Sequence, residues 1–425
     1  MKHVLMMVLA CLLLLPCTGG AEEEPYGYPI QGAYESTIIG TPASFKPDVP
    51  AEIRTRNLVL KIFPDRKKPA IFFYDKGLRC TLAYQDKRAP LVFLIAGTGA
   101  GSQAPHQMTM MKSLYQAGFH VITVSSPTSP NFIVSASRSS IPGDMEADSK
   151  DLYRAMEAAW SAVENDIQVS DFYLSGYSLG ATQAAFVALL DEERKFFDFR
   201  KVLMINPAVS VYTSAERIEE LLRAIPGGAT KVGYFFNDML ARFSEFYSYN
   251  SFVAINDEFI YAVYKEKVFS QEEAGGLVGL AFRINSAGMI FTSDVMTNSG
   301  YVVPKNRRLK TTDSLFEYFM VSTHLSLFNY LNEYLYPYVH KKKPGLTKTE
   351  LIESMSLRSI DGYLRSSPKF GVMTNADDFL LTPDERNYLL QLFGSRVKVF
   401  PRGGHLGNLE YKENIAHMVE FFMKP

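Results

Sequence analysis

The pentapeptide Gly-Tyr-Ser-Leu-Gly at residues 176–180 constrains the fold of this chain more than any other part of its sequence. It follows an apolar run, 172–174, and precedes a helix-like stretch, 181–190. A strand, a sharp turn and a helix are therefore predicted, with the hydroxyl of Ser178 exposed at the apex of the turn. Flanking glycines suit a strained turn whose helix packs close to neighbouring strands, since that packing leaves no room for a Cβ atom. The pattern predicts that Ser178 is a nucleophile.

Strand-like and helix-like segments alternate along much of the chain. The runs 57–63, 70–74 and 78–84 predict short antiparallel strands, and later continuous apolar runs such as 90–96 predict strands buried on both faces. Helical periodicity separates these later runs, as at 146–163. We therefore expect an α/β fold with a mostly parallel central sheet and helices on both faces.

The alternation predicts five parts along the chain. These are a signal peptide (1–21), an extended N-terminal arm (22–51), a first core part (52–207), a cap or lid (208–368) and a second core part (369–425). The cap segment is dense in aromatic residues, many at helical spacing, so a mainly helical insertion between the sixth and seventh strands is expected. Such an insertion would lie above the carboxyl ends of the parallel strands and cover a site there.

The predicted signal peptide indicates export to the periplasm or the outside of the cell. A basic start precedes the apolar run 4–15, which is too short to span a bilayer comfortably, and small residues follow it. Lipidation at Cys17 is the less favoured alternative, because the residue just before it is not small. Cleavage after residue 21 would leave Cys80 alone, which excludes an intramolecular disulfide and predicts a buried apolar thiol. No integral membrane segment is expected after signal removal.

The overall charge excludes one class of partner. The 425 residues carry a formal net charge of −1, which becomes −2 when Lys2 is removed with the signal. This balance provides no electrostatic attraction for nucleic acid or an anionic membrane. No nucleic-acid partner is therefore predicted, and the oligomeric state is left open.

A glycine-rich loop supplies the second part of a predicted catalytic site. Residues 97–101, Gly-Thr-Gly-Ala-Gly, directly follow the apolar run 90–96. A serine hydrolase needs two backbone N–H groups directed at the oxyanion of its tetrahedral intermediate. We expect one from Leu179, directly after the nucleophile, and the other from Thr98 in this loop.

An acid and a base complete the predicted site. Asp377 and Asp378 follow the apolar run ending at residue 374, and either carboxylate could orient a histidine; Asp378 is favoured because an apolar run follows it. His405, in the Gly-Gly-His-Leu-Gly loop after the run 397–400, is the expected general base. The order of serine, aspartate and histidine along the chain fits a triad on an α/β sheet. The rival histidines, which are more typical of packed or surface positions, are His106, His120, His324, His340 and His417.

These motifs together resemble the α/β-hydrolase superfamily, most closely its esterase and lipase-like branches. The similar parts cover about 91–206 and 370–422. The resemblance implies an acyl-enzyme intermediate on Ser178 and no metal or other cofactor. In two respects the chain departs from the family: Ala96 stands where a histidine usually precedes the first oxyanion glycine, and the cap is long. The resemblance therefore does not identify the substrate.

The favoured hypothesis is an exported serine hydrolase, carboxylesterase or lipase-like, that cleaves a small-molecule or lipid-like carboxylic ester. One alternative is an aminopeptidase or amidase with the same triad, in which acidic cap residues such as Glu245, Asp257 and Glu258 would bind a substrate amine. The other is a catalytically silent binding protein of the cell envelope. The complete triad favours an enzyme over this last alternative.

Overall fold

The structure is a computed structural model of the chain. It describes residues 26–225, 227–228, 231, 233–235, 237–239, 241–242, 257–268 and 270–424, without the side chains of 257 and 258. The predicted signal peptide and Cys17 lie outside these residues.

An eight-stranded sheet forms the centre of the molecule. In chain order its strands are β1 (Thr55–Leu60), β2 (Leu78–Ala83), β3 (Ala89–Ile95), β4 (His120–Val124), β5 (Val169–Tyr177), β6 (Lys201–Ile205), β7 (Phe370–Asn375) and β8 (Val397–Phe400). Their spatial order is β1-β2-β4-β3-β5-β6-β7-β8. β2 pairs antiparallel with both β1 and β4, and all pairings from β4 across to β8 are parallel. The predicted α/β fold with a mostly parallel sheet is confirmed.

Helices lie on the sheet and fill the long connection between β6 and β7. Before that connection they are α1 (Ala33–Ile39), α2 (Pro105–Gln116), α3 (Pro130–Ser135), α4 (Met145–Ser161) and α5 (Leu179–Arg194). Within it are α6 (Val211–Arg223), α7 (Asp257–Lys265), α8 (Gln271–Thr297), α9 (Phe316–Thr323), α10 (Leu327–Tyr330), α11 (Tyr336–Lys342), α12 (Lys348–Ser354) and α13 (Asp361–Ser366). After β7 come α14 (Pro383–Phe393) and α15 (Lys412–Met423).

The sheet separates two hydrophobic cores because neighbouring strand residues point to opposite faces. On β3, Phe93 belongs to the larger core, which also contains α4 and α5. Val92 and Leu94 belong to the smaller core, with α2 and α15. The central strands are buried on both faces, which explains their continuous apolar runs.

The longest described helix between β6 and β7, α8, packs against α6 and α9 of the same connection and against α1 and α3 outside it. It is the one helix among the described residues that is long and apolar enough to cross a membrane by length and composition. However, 61% of its most apolar window is buried inside the protein. That burial is typical of a core helix in a soluble fold.

The structure corrects two expectations about local structure. The run 70–74 is a 3₁₀ turn, Ala70–Phe72, instead of a strand; Ile71 and Phe72 are both buried, whereas a strand face would bury alternate residues. The N-terminal arm is not extended throughout, since α1 lies within it. A helix of seven residues is marginal alone, and here tertiary packing against α8 and the His405 loop stabilises it.

Candidate active site

The predicted elbow is present at the end of β5. Ser178 directly follows this strand and precedes α5, and its backbone has φ 55° and ψ −128°, a conformation that L residues rarely adopt. A Cβ on Gly176 would lie 2.3 Å from the carbonyl oxygen of Gly180, and one on Gly180 would lie 2.4 Å from the carbonyl oxygen of Ile95. The strand and the helix are thus too close for any side chain at either glycine position.

Three side chains form a continuous hydrogen-bonded line that begins at this serine. His405 Nε2 lies 2.8 Å from Ser178 Oγ, and His405 Nδ1 lies 3.0 Å from Asp378 Oδ2. All three residues are buried. The carboxylate can accept the Nδ1 hydrogen, which leaves Nε2 free to accept the serine proton. The fold therefore brings together the predicted serine, the predicted histidine and the favoured aspartate, with the histidine hydrogen-bonded to both of the others.

Two further donors hold the carboxylate of Asp378. Asn206 Nδ2 donates to Oδ2 at 2.8 Å, and the backbone N–H of Leu380 donates to Oδ1 at 3.1 Å. Together the two donors restrict the rotation of this carboxylate and hold it against the histidine ring. The sequence analysis missed Asn206, although its position directly after a buried strand already placed it at the edge of the sheet where the site lies.

Asp377, the alternative acid, has a different environment. Its carboxylate accepts the backbone N–H groups of Gly403 at 3.2 Å and Gly404 at 2.9 Å, just before His405 in the chain. Burial raises the pKa of this carboxyl group, and the two backbone donors oppose that shift. Asp377 thus shapes the loop that carries the histidine, while Asp378 contacts the histidine ring.

The glycine-rich loop lies against the elbow as expected. A Cβ on Gly97 would lie 3.2 Å from that of Ser178, and Thr98 lines the same pocket as Ser178 and Leu179. Gly99 has φ 72°, and its N–H donates to Thr128 Oγ1 at 2.8 Å. The bond to Thr128 fixes the turn. Among the described residues, the backbone N–H groups of Thr98 and Leu179 have no protein partner. Both groups are available to a ligand oxygen.

The N-terminal helix α1 contacts the histidine loop directly. Thr37 Oγ1 accepts the backbone N–H of His405 at 2.9 Å and donates to the carbonyl oxygen of Ala33, also at 2.9 Å. Gly404 has φ 55°, and a Cβ there would lie 2.0 Å from the Ala33 oxygen. The arm therefore packs against the backbone of the loop and orients its histidine. Sequence reasoning missed Thr37, because nothing local marks a threonine in an arm as a neighbour of a residue 368 positions later.

The other histidines have partners outside this line. His106 Nδ1 lies 2.6 Å from Glu410 Oε1, its ring packs edge-on against Tyr177, and it does not line the pocket at Ser178. The buried His120 accepts the N–H of Gln85 and donates to the carbonyl oxygen of Gln168. The remaining three are half-buried or exposed and lie on helices or at a helix end: His324, His340 and His417.

Cys80 does not contribute to the site, and the acidic side chains considered for amine binding lie outside the described part of the chain. Cys80 is fully buried in β2, which raises the pKa of its thiol to about 12 and makes it unreactive. Glu245 lies outside the described residues, as do the side chains of Asp257 and Glu258. Among the described residues, no cluster of three or more histidine, cysteine or acidic side chains could hold a metal ion.

A pocket opens directly beside Ser178 and encloses about 940 Å³ of empty space, its open mouth included. Nearly all of its surface is apolar. Its walls come from the elbow and loop on one side and from helices between β6 and β7 on the other, including Tyr212, Phe282, Phe328 and Leu331. A π-helical turn, Leu331–Leu335, places two leucines in this wall, just before a proline-containing helix. Such turns are frequent at functional sites.

Comparison with solved structures found proteins that are similar to this chain at low sequence identity. No protein-family model matches the sequence, and no curated protein matches it. Among solved structures, one of two fungal esterases from Rhizomucor miehei is 14% identical, with a TM-score of 0.44, over 88% of this chain and 83% of that chain. An esterase from the archaeon Pyrobaculum calidifontis is 13% identical, with a TM-score of 0.40, over 99% of this chain and 95% of that chain. Carboxyl esterase 2 from Tuber melanosporum is 12% identical, with a TM-score of 0.42, over 89% and 87%.

At such identities the chain's own geometry is the basis for assigning its fold. The serine elbow follows β5, the glycine loop follows β3, and the acid and histidine loops follow β7 and β8. All four lie at the carboxyl edge of one mostly parallel sheet, in the chain order expected of a serine triad there. The chain has the α/β-hydrolase fold.

Proposed function

We propose that the protein is an exported serine hydrolase that cleaves a carboxylic ester through an acyl-enzyme intermediate. The observation that carries the proposal is the unbroken line of hydrogen bonds from Ser178 Oγ through His405 to Asp378, beside an apolar pocket. A histidine held by a buried carboxylate and within 2.8 Å of a serine on a strained elbow is the arrangement that activates a hydroxyl as a nucleophile. No metal or other cofactor is required by this scheme.

In the first half of the reaction, Ser178 Oγ attacks the ester carbonyl carbon. His405 Nε2 takes the serine proton as the new C–O bond forms, and Asp378 stabilises the resulting imidazolium. When the tetrahedral intermediate collapses, the bond to the alcohol oxygen breaks and the imidazolium gives its proton to that oxygen. The alcohol leaves, and the acyl group remains on Ser178.

In the second half, water takes the place of the alcohol. His405 Nε2 accepts a proton from the water as its oxygen attacks the acyl carbon, and returns the proton to Ser178 Oγ as the acyl bond breaks. In both halves a negative charge develops on the former carbonyl oxygen. We assign the stabilisation of this oxyanion to the N–H groups of Leu179 and Thr98.

The pocket supports a substrate with an apolar portion, either a small molecule or a lipid-like ester. An apolar cavity next to the nucleophile binds by removing apolar surface from water, while the few polar groups set orientation. Export rests on the predicted signal peptide. Recovery of the protein from the periplasm or the medium tests export, and N-terminal sequencing of the recovered protein tests the cleavage site. Cleavage after residue 21 is the expected result, and a lipid-modified Cys17 would contradict it.

Labelling with a fluorophosphonate probe tests the activated nucleophile, with Ser178→Ala as the control. Covalent labelling that is absent from the variant is expected. No labelling of the native protein would contradict the proposal and favour a binding protein with an inactive hydrolase fold. Esters and amides with the same acyl group, in graded chain lengths, then separate an esterase from an amidase by their kcat/KM values.

A further inference from the structure

Asp148 is a buried carboxylic acid that the proposed mechanism does not use. It lies in the first turn of α4, its side chain is 2% exposed, and it lines the same pocket as Ser178. Its Oδ2 accepts the backbone N–H of Gly143 at 2.8 Å. Across the described part of the chain, no lysine, arginine or histidine forms an ion pair with it.

Several other polar groups of the pocket already have protein partners. Ser214 Oγ donates to the carbonyl oxygen of Leu380, Thr128 Oγ1 accepts the Gly99 N–H, and Tyr330 Oη donates to the carbonyl oxygen of Pro142. Each of these bonds engages a polar atom of the residue in a contact within the protein. Asp148 differs, because a single backbone N–H leaves much of the hydrogen-bonding capacity of its carboxyl group unused.

The charges around Asp148 are of its own sign. Burial raises the pKa of its carboxyl group well above the ordinary value, and the nearby carboxylates of Asp144 and Asp151 raise it further. Asp151 is itself paired with Arg154. An isolated carboxylate in an apolar pocket is costly, so burial without a counter-ion favours the protonated acid. A cation placed beside it would favour the ionised form.

We infer that Asp148 binds a protonated amine carried by the part of the substrate that occupies the pocket. The inference rests on the proposed function, since it takes the pocket beside Ser178 as the substrate site. The incoming ammonium group supplies the counter-ion that the protein lacks there, and the carboxyl proton leaves to solvent. Because removing the ammonium group from water offsets much of the attraction, we expect a preference of about tenfold.

Matched esters test the inference. The 4-nitrophenyl esters of hexanoic, 6-hydroxyhexanoic and 6-aminohexanoic acid differ only at the end of the acyl chain, and shorter and longer homologues cover the depth of the pocket. We expect kcat/KM to be about tenfold higher for the amino ester of the best-fitting length than for either uncharged ester. Equal values for the amino and hydroxy esters would overturn the inference, because a cation would then have no advantage over a neutral donor.

Asp148→Asn is the decisive variant, since the amide oxygen can still accept the Gly143 N–H. It should lower the ratio of kcat/KM for the amino ester to kcat/KM for the hexanoate to about one, because a neutral amide gives the ammonium group no counter-ion. Asp144→Asn is the matched control: this carboxyl group lies one turn away at the N-cap of the same helix and does not line the pocket at Ser178. An unchanged preference in Asp148→Asn would overturn the inference.

Binding measured without turnover separates this inference from the proposed function. Ser178→Ala is titrated calorimetrically with n-alkylamines and with n-alkanols of equal length, in the presence and absence of Asp148→Asn. Tighter binding of the amines that the second substitution removes supports the inference. If amines bind in this way but no ester is hydrolysed, only the proposed function fails. If esters are hydrolysed but the amines bind equally to both proteins, only the role of Asp148 fails.

Discussion

The two walls of the pocket are built on different principles. In the core wall, each group of the proposed chemistry is held by at least one specific hydrogen bond or by a close backbone contact: His405 by Thr37, and Asp378 by Asn206. In the wall between β6 and β7, the contribution is mainly apolar side chains on helices. Under the proposed function, the core wall supplies the reacting groups and Asp148, while the opposite wall supplies mainly apolar contact with the substrate. Substitutions in the two walls should therefore have effects of different size, and they should change different kinetic constants.

The largest effect is expected from the nucleophile in the core wall. Ser178→Ala should lower kcat by on the order of 10⁵-fold or more, because the acyl-enzyme can no longer form. The thermal midpoint should not fall, since alanine fits where serine does. Initial rates on the best ester and a thermal melt measure the two quantities. Activity within tenfold of the native value would exclude Ser178 as the nucleophile.

The adjacent aspartates provide the next comparison. Asp378→Asn should lower kcat by roughly 10⁴-fold while the protein remains folded, because an amide cannot hold the histidine in the required tautomer. Asp377→Asn is the matched control: its side-chain oxygen can still accept one of the two loop N–H groups, so a much smaller loss is expected. An inactive Asp377→Asn beside an active Asp378→Asn would transfer the role to Asp377.

The closeness of strand and helix at the elbow is tested through stability. Gly180→Ala places a Cβ 2.4 Å from the backbone oxygen of Ile95, which cannot move without disturbing β3. We expect the free energy of unfolding in urea to fall by about 3 kcal/mol or more. Gly101→Ala, where a Cβ meets nothing within 4 Å, should change it by less than about 1 kcal/mol. Equal effects at the two positions would contradict the packing described here.

Loss of the contact between the N-terminal arm and the histidine loop should lower kcat moderately. Thr37→Val keeps the shape of the side chain but leaves the buried N–H of His405 without its acceptor, so we expect kcat to fall by about tenfold with little change in KM. Thr37→Ser should restore most of the activity. Thr292→Val removes a similar threonine bond inside α8, away from the loop, and is the control. Equal losses of kcat in Thr37→Val and Thr292→Val would indicate a general effect on stability.

The smallest effect on the kinetic constants is expected from a substitution in the wall between β6 and β7. Phe328→Ala removes an aromatic side chain that lines the pocket and packs against Tyr212 at a centroid distance of 5.3 Å. KM for a medium-chain ester should rise by about three- to tenfold, and kcat should stay nearly constant, because the lost contact is apolar and donates no hydrogen bond to the reacting atoms. Phe316→Ala, at a 69% exposed position outside the pocket, is the control. A fall in kcat without a rise in KM would contradict the proposed division between the walls.

Local patterns in the sequence were sufficient to predict the turns that carry the candidate catalytic residues. Three patterns each predict a turn at the end of a strand: the serine between an apolar run and a helix, the glycine loop, and the Gly-Gly-His loop. They are recognisable because a strained or closely packed backbone restricts the residues that can occupy such a turn. Continuous apolar runs likewise predicted the buried parallel strands. The run 70–74 failed because its hydrophobicity reflects two adjacent buried side chains, which a short turn can also bury.

Tertiary structure decided the remaining features. The sequence by itself determined the α/β class and the candidate serine, acid and base, since each depends on the conformation of a few neighbouring residues. Only the folded chain separates Asp378 from Asp377, places Asn206 beside Asp378 and Thr37 beside His405, and brings Asp148 to the lining of the pocket. These contacts join residues far apart in the chain, and their partners are set by packing between elements, which no local pattern records.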